Sequence, residues 1–333
     1  MNKLLLLFTL VFLINFSIAS NYEFSVMTLN AQNLFDTLDD PKKDDKAYLP
    51  IEKKQTNKHK RSCERIKVKS WKNECLFLDW DEETKNIKLK SLVKNITSYK
   101  ELGPDILGLQ EIENINILNE LFNLLKPYGY TDYVLLESDD YRGIDNAIVS
   151  KYKIVESSLH YIKFSGKFSD KDTRPILEAK IQIHDKNIRL YNVHFPSGFH
   201  DVSMRIDSLK TLNQLKENQS LPAIAIGDFN VNSKEDIKYN IYESQTDNWQ
   251  VAHIEGCVEC KGSFYYNYGK SWDFLDTIFI SKENNIKYKE DSINVHRTLE
   301  NSYSDTGKPI KFNAITRKGV SDHLPVVAEI SLR

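Results

Sequence analysis

The 333-residue sequence has little net charge, no run of turn-forming residues and almost no long apolar stretch. Its 45 Lys and Arg against 47 Asp and Glu leave a formal net charge of -2. No global basic field therefore draws the chain to nucleic acid, and any attraction to phosphate has to be local. Gly-, Ser- or Pro-rich linkers and internal repeats are missing, which favours one large domain over two small ones at this length. Beyond the first residues no segment could cross a membrane, and no apolar loop is suited to entering a bilayer surface. Only four cysteines occur: Cys63, Cys75, Cys257 and Cys260.

The one long apolar run is N-terminal. Met1-Asn2-Lys3 precedes Leu4 to Ile14, and Ser17-Ile18-Ala19 supplies small residues, the pattern of a secretory signal peptide over 1–19, cut near Ala19 or Ser20. A membrane anchor is the other reading, disfavoured because Asn15 interrupts a run that is short for a bilayer span. The mature domain, 20–333, is then expected to be secreted or periplasmic, without a stable membrane anchor, where disulfides persist. Four cysteines permit three pairings; the two local ones, Cys63 with Cys75 and Cys257 with Cys260, are favoured. Zinc is the sharper rival for Cys257-Val258-Glu259-Cys260, but Cys63 and Cys75 make no matching close pair. No thioredoxin-like βαβ pattern supports a redox role.

What is present is a set of strand-like runs that end in chemically useful residues. Leu221 to Ile226 is apolar and of strand length; it stops at Gly227 and delivers Asp228 and Asn230. Period-2 geometry puts these two on one side, with Phe229 turned to the core, although an Asx turn after a strand reads equally well. Phe24 to Leu29 ends at Asn30, Ile106 to Leu109 at Gln110-Glu111, and Leu190 to Val193 at His194. Asp276 lies inside the apolar run Phe274 to Ile280, and Ser321-Asp322-His323 opens the last strand. A charge in an apolar strand is costly unless paired or metal-bound, so several strands are delivering polar groups to one place. Helical spacing predicts helices over 82–99, 115–125 and 200–215, with a short one at 233–239. Strands and helices together read as α+β. Between Pro41 and Cys75, 12 Lys or Arg stand against 5 Asp or Glu. This basic insertion at about 41–75 is either a solvated surface or a face that holds a polyanion, with Tyr48 and Trp71 as stacking surfaces.

Thr28-Leu29-Asn30, Leu109-Gln110-Glu111, Gly227-Asp228-Phe229-Asn230, Leu275-Asp276 and Ser321-Asp322-His323-Leu324-Pro325-Val326 resemble, in order, the motifs of the endonuclease/exonuclease/phosphatase superfamily, which includes pancreatic deoxyribonuclease. The resemblance runs from about Asn30 to the C-terminus. It implies a four-layer α/β/β/α sandwich with two mixed β-sheets packed face to face.

It also implies a metal-assisted attack of water on phosphate. Glu111 is the expected ligand of Mg²⁺, with Mn²⁺ or Ca²⁺ as substitutes, since a hard cation prefers carboxylate oxygen. Spacing alone leaves Glu113 on the same side; the family motif selects Glu111. Asn30 and Asp322 are expected near the metal, and Asn30 and Asn230 on phosphoryl oxygens. Asp228 is expected to position or deprotonate the water, and His323 to donate to the phosphate while Asp276 or Asp322 orients its ring. His194 stands where pancreatic-type deoxyribonucleases have His and abasic-site endonucleases Tyr. It is the expected general acid for the leaving oxygen, with Asp145 as its orienter. Arg174 is the expected phosphate clamp, with Arg142 and Arg205 as weaker candidates. Gln32 departs from the pattern, for some relatives carry Asp there as a further ligand, which argues against a second fully occupied metal site.

The expected activity is an exported, Mg²⁺-dependent endonuclease acting on DNA as a monomer. The rival within enzymes is a phosphatase or phospholipase-type phosphodiesterase acting on phosphoinositides or sphingomyelin. A third reading is a non-catalytic binding protein on the same scaffold, whose mark would be loss of Glu111, Asp228, Asp276 or His323. None is lost.

Overall fold

Each of the two large sheets is built around a parallel pair of strands joined through a helix. The structure, a computed structural model, describes residues 21–257, 260–283 and 285–333; the expected signal peptide lies outside them. In the first sheet the pair is β1 (Tyr22–Leu34) and β2 (Ile106–Ile112), with the helix Glu82–Thr97 between them. β3 (Asp132–Leu135) and β4 (Asp145–Ser150) extend that sheet beyond β2. The second sheet takes β5 (Lys153–His160), β6 (Ile176–Ile183) and the parallel pair β7 (Lys186–His194) and β8 (Ala223–Asp228), joined through the helix Val202–Glu217. β9 (Trp249–Val251) forms its far edge. A hairpin of β10 (Phe264–Tyr266) and β11 (Ser271–Asp273) leads into β12 (Asp276–Ser281), which lies antiparallel to β8. β13 (Ile286–Tyr288) and β14 (Asn294–Val295) return the chain to the first sheet, where β15 (Val326–Leu332) runs antiparallel beside β1. Both sheets are mixed.

Alternation along the strands sorts the apolar side chains into layers. Phe24 and Val26 of β1 meet Ile224, Ile226 and Ile278 between the sheets. Met27 and Leu29 point the other way, onto Leu89, Leu92 and Leu121 of the outer helices. On the second sheet Ala223 and Ala225 face Leu209 and Leu212 of the helix Val202–Glu217. The order is helix, sheet, sheet, helix, the expected four-layer α+β sandwich, and each fully buried Leu or Ile in it contributes roughly 1.5–3 kcal/mol. At Gly108 the sheets meet with no side chain to spare, for an added Cβ would lie 2.4 Å from the Cδ1 of Ile226.

The helices start where short polar side chains cap them: Asp81 accepts from the amide of Thr84, Asn114 from Asn116 and Ile117, and Asp201 from Ser203. The basic insertion is folded. It forms helices Asn57–Glu64 and Lys69–Phe77, stapled by a Cys63–Cys75 disulfide, and Cys257 bonds Cys260. Both pairs are the local ones, which leaves no thiolates for zinc. Lys54 is buried, its ammonium on the carbonyls of Ala47 and Leu78, and burial pulls its pKa down to about 8. Tyr48 stacks on Phe35 at 4.1 Å and meets Trp80 edge-on. It is structural packing rather than the expected stacking surface, whereas Trp71 is exposed. Among the described residues no helix is long and apolar enough to cross a membrane.

Candidate active site

β1, β2, β7 and β8 finish at one edge of the sandwich, and the antiparallel β12 and β15 begin there, so six strand ends converge. Asp276 is the first residue of β12 and pairs in register with Asp228, the last of β8, which in turn pairs with His194, the last of β7. His323 lies three residues before β15 and bridges to Phe264 of the hairpin. The ligand atoms of Asp228, Asp276 and His323 lie within 4.8 Å of one another, all buried.

Hydrogen bonds fix this cluster. His323 Nδ1 bonds Asp276 Oδ2 at 2.7 Å, and Ser263 Oγ donates to the same oxygen at 2.7 Å. Asn30 Nδ2 donates to Asp228 Oδ2 at 3.1 Å, across from one sheet to the other. Ser321 Oγ holds the Asn30 carbonyl and receives the amide of His323, tying the last motif to the first. Asp276, rather than Asp322, orients His323.

The electrostatics separate the two imidazoles. Burial alone disfavours a charged His323, but the carboxylates of Asp276, Asp228 and Asp322 outweigh it and raise its pKa well above the ordinary value. Burial and the neighbouring Arg174 and Arg142 push His194 the other way, well below it. The resident imidazolium is therefore His323, while His194, expected as the acid, is held neutral. Its Nε2 stands 3.9 Å from Glu111 and 3.8 Å from Asp228, and its Nδ1 has no partner. Burial, reinforced by the charge of Asp276, raises the pKa of Asp228 well above the usual carboxylate range.

Backbone conformation decides which other groups arrive. Glu111 has a left-handed φ of 62°, as do Asn230 at 54°, Gln32 at 53° and Asn33 at 56°; for non-glycine residues such strain concentrates at functional positions. Strict alternation, which put Glu111 and Glu113 on one side, fails here. Glu111 turns to the site and accepts from the amide of Asn33 at 2.9 Å, while Glu113 is buried against the amide of Asp36, where desolvation pushes its pKa up to about 9. Asn230 likewise closes an Asx turn, its amide on Asp228 Oδ1 at 2.9 Å. The turn and the site are the same feature, and the Asn230 amide group donates to the carbonyl of Phe195.

Three expected roles do not fit the geometry. Asp145 accepts from the amide of Ser138, at 3.1 and 3.3 Å, so it caps a turn instead of orienting His194. Arg174 is buried with Nε and Nη2 on the carbonyls of His194 and Phe195, so it braces the strand end that carries His194 and has little left to clamp a phosphate. Arg205 is wholly buried on the carbonyls of Pro196, Ser197 and His200 with Glu235. Arg142 is the exposed arginine at the site, bonded to the side chain of Asn33 at 2.8 Å. Two supports were not anticipated. Ser263, just before β10, belongs to no motif or periodic run of the sequence. Lys88, fully buried, holds the carbonyl of Val320 at 2.6 Å beneath the His323 loop, and burial lowers its pKa to about 7. Its spacing of four from Leu92 placed it on the inner helix face.

The donor set suits a hard divalent cation. Glu111 and Asp322, with Asn30 behind them, offer oxygens only. Burial, with the charge of Glu111 adding to it, raises the pKa of Asp322, a repulsion that a cation between them would relieve.

A sequence profile described as the Endonuclease/Exonuclease/phosphatase family matches residues 77–332. No curated protein matches the chain in sequence. In three dimensions it is similar to an endonuclease/exonuclease/phosphatase family protein from Bacteroides thetaiotaomicron, with TM-score 0.58, 18% identity, and 94% of this chain and 96% of that one covered. It is also similar to the mannosyl-6-phosphatase Bt3783 of the same organism, with TM-score 0.54, 17% identity and 92% and 99% covered. D. rerio TDP2 complexed with a single-strand DNA product gives TM-score 0.55, 13% identity and 92% and 98% covered. At these identities the likeness is one of fold.

Proposed function

The chain belongs to the endonuclease/exonuclease/phosphatase family, and from that membership we propose that it is an exported, Mg²⁺-dependent phosphodiesterase that cuts nucleic acid, DNA first, at internal bonds. The observation that carries this reading is the Asp276–His323 pair set against the Asn30–Asp228 pair, an imidazolium beside a carboxylate of raised proton affinity where the strand ends converge. A phosphodiester repels nucleophiles, so hydrolysis needs its oxygens neutralised, a water activated and the leaving oxygen stabilised.

Asp228, aligned by Asn30, accepts a proton from the attacking water; its raised proton affinity makes it the stronger base. His323 has Nδ1 occupied by Asp276 and presents Nε2–H to a phosphoryl oxygen, a charge-assisted hydrogen bond. As the new P–O bond forms, the opposite one breaks and leaves its electron pair on the departing sugar oxygen, which accepts a hydrogen bond from the N–H of the neutral His194 and takes its proton from solvent water. Glu111 and Asp322, with Asn30, would hold the cation. When bound it supplies charge neutralisation at the phosphate and the leaving oxygen.

Polyanion preference rests on the exposed lysines of the insertion, which packs just past the end of β1 through Tyr48 on Phe35 and Lys53 Nζ on the carbonyl of Thr37. By name, one solved relative is a mannosyl-6-phosphatase and another is complexed with a single-strand DNA product, so the test has to compare classes. The mature protein is incubated with supercoiled plasmid, linear DNA, RNA and a phosphoinositide, with and without Mg²⁺. Nicking of plasmid only with metal is expected; release of phosphate from the phosphoinositide with intact nucleic acids would overturn the reading.

A further inference from the structure

A cleft of about 870 Å³ opens between the β10–β11 hairpin, the helix Glu82–Thr97 and the loop 299–319. Lys94, Lys308, Lys311, Arg317 and Lys318 line it against a single acid, Glu300. Lys94 is paired with Glu300, and Arg317 with Asp81 and Glu83. The other three lysines have no carboxylate at ion-pair distance among the described residues. Two tyrosines stand among them. Lys308 Nζ lies 3.9 Å from the ring centre of Tyr265, and Tyr303 is 53% exposed. Lys308 lies on the Tyr265 ring, which Trp272 also meets at 5.3 Å, so Lys311 and Lys318 stay open to phosphates and the Tyr303 ring to a base; cations interleaved with aromatic rings are the means by which one strand of nucleic acid is held.

The same two segments build this cleft and the reacting centre. On the hairpin Phe264 packs on the ring of His323 at 5.0 Å, while Tyr265, the next residue in alternation, lines the cleft. On the loop Phe312 exchanges hydrogen bonds with the side chain of Gln32, at 2.8 and 3.1 Å, while Lys311 lines the cleft.

We propose that this cleft is a second binding subsite, which holds a single-stranded stretch of polynucleotide away from the reacting phosphate. It rests on the nuclease reading and extends it. The volume is that of a ligand pocket, suited to a short piece of one strand and too small for the width of a duplex.

Two variants separate the two kinds of contact: Lys308→Gln/Lys311→Gln/Lys318→Gln, and Tyr265→Ala/Tyr303→Ala. Binding of a short fluorescent oligothymidylate is followed by anisotropy in EDTA over a range of salt, beside hydrolysis of bis(p-nitrophenyl) phosphate with Mg²⁺. The lysine variant should bind about tenfold more weakly at low salt, with a salt slope smaller by about 2, since each phosphate contact on a single strand carries about 0.7. The tyrosine variant should lose roughly tenfold at every salt concentration with its slope unchanged. Hydrolysis of the small diester should stay as in the parent. Oligothymidylate binding and salt slope unaltered in the lysine variant would overturn the subsite while leaving the nuclease reading standing. So would those lysines binding anionic vesicles but no oligothymidylate. A parent protein that neither binds oligothymidylate nor cuts plasmid would remove both.

Discussion

Asp276 and His323, 47 positions apart, are joined by one hydrogen bond of 2.7 Å, and the oxygen that makes it also accepts from Ser263. The carboxylate holds the ring in one orientation and keeps it charged. Asp276→Asn should therefore lower kcat by roughly 10³–10⁴ with the fold intact. Ser263→Ala, which only loosens the carboxylate, should cost about tenfold. Turnover on plasmid, read beside the melting temperature of each variant, checks both; a folded Asp276→Asn protein within threefold of the parent would remove the pair from the mechanism.

Glu111→Gln keeps the shape of the side chain and removes the charge. The concentration of Mg²⁺ giving half-maximal cleavage should rise at least about tenfold, and Mn²⁺ binding followed by electron paramagnetic resonance should weaken in parallel. An unchanged metal titration would assign the cation elsewhere.

Gly227 takes a φ of 141°, and an added Cβ would fall 2.0 Å from the carbonyl oxygen of Val193 on the neighbouring strand. Gly227→Ala should cost more than about 3 kcal/mol, because the obstacle is backbone and cannot rotate away. Gly166→Ala, with a φ of 60° but open space around it, should cost about 1 kcal/mol or less. Urea denaturation of the two proteins measures the difference.

His253 stacks on Phe274 at 4.6 Å and bonds the hydroxyl of Thr277, and burial lowers its pKa from 6.5 to about 4. A depressed folded value means that the unfolded chain takes up the proton first. The stability this ring secures is present above pH 6.5 and is lost as pH falls from there through 4, by at most about 3 kcal/mol. Denaturation at pH 7.5, 5.5 and 4.5 should show that decline, and His253→Gln should flatten it.

The disulfide between Cys63 and Cys75 closes a span of 12 positions within the basic insertion. On loop-closure entropy its removal, as Cys63→Ser/Cys75→Ser, should cost roughly 3 kcal/mol. The loss should show in limited proteolysis between 41 and 77 before it shows in the rest of the chain.

The outer helices and the converging strand ends were legible because both rest on short-range periodicity: the spacing of Leu89, Leu92 and Ile96, and apolar runs that stop at Asn30, His194 and Asp228. The rest was hidden by backbone geometry. Alternation presumes an extended chain, and the left-handed turns at Glu111 and Asn230 break it within one residue, which is how Glu113 ended in the interior. Arg174 was taken for a clamp because a sequence shows a guanidinium and not the two carbonyls that occupy it. Ser263 carries no pattern at all; only the hairpin that folds it back onto Asp276 gives it a role.

The contact at Gly108 reaches further than packing. Asn30 belongs to one sheet and Asp228 to the other, and the tip of Ile226, two positions before Asp228, lodges against bare main chain at Gly108. That peg sets how far apart the halves of the molecule ride and keeps one from sliding along the other. A bulkier residue there would shift the amide of Asn30 off its carboxylate without touching either, so a position deep in the interior acts as the gauge of the reacting centre.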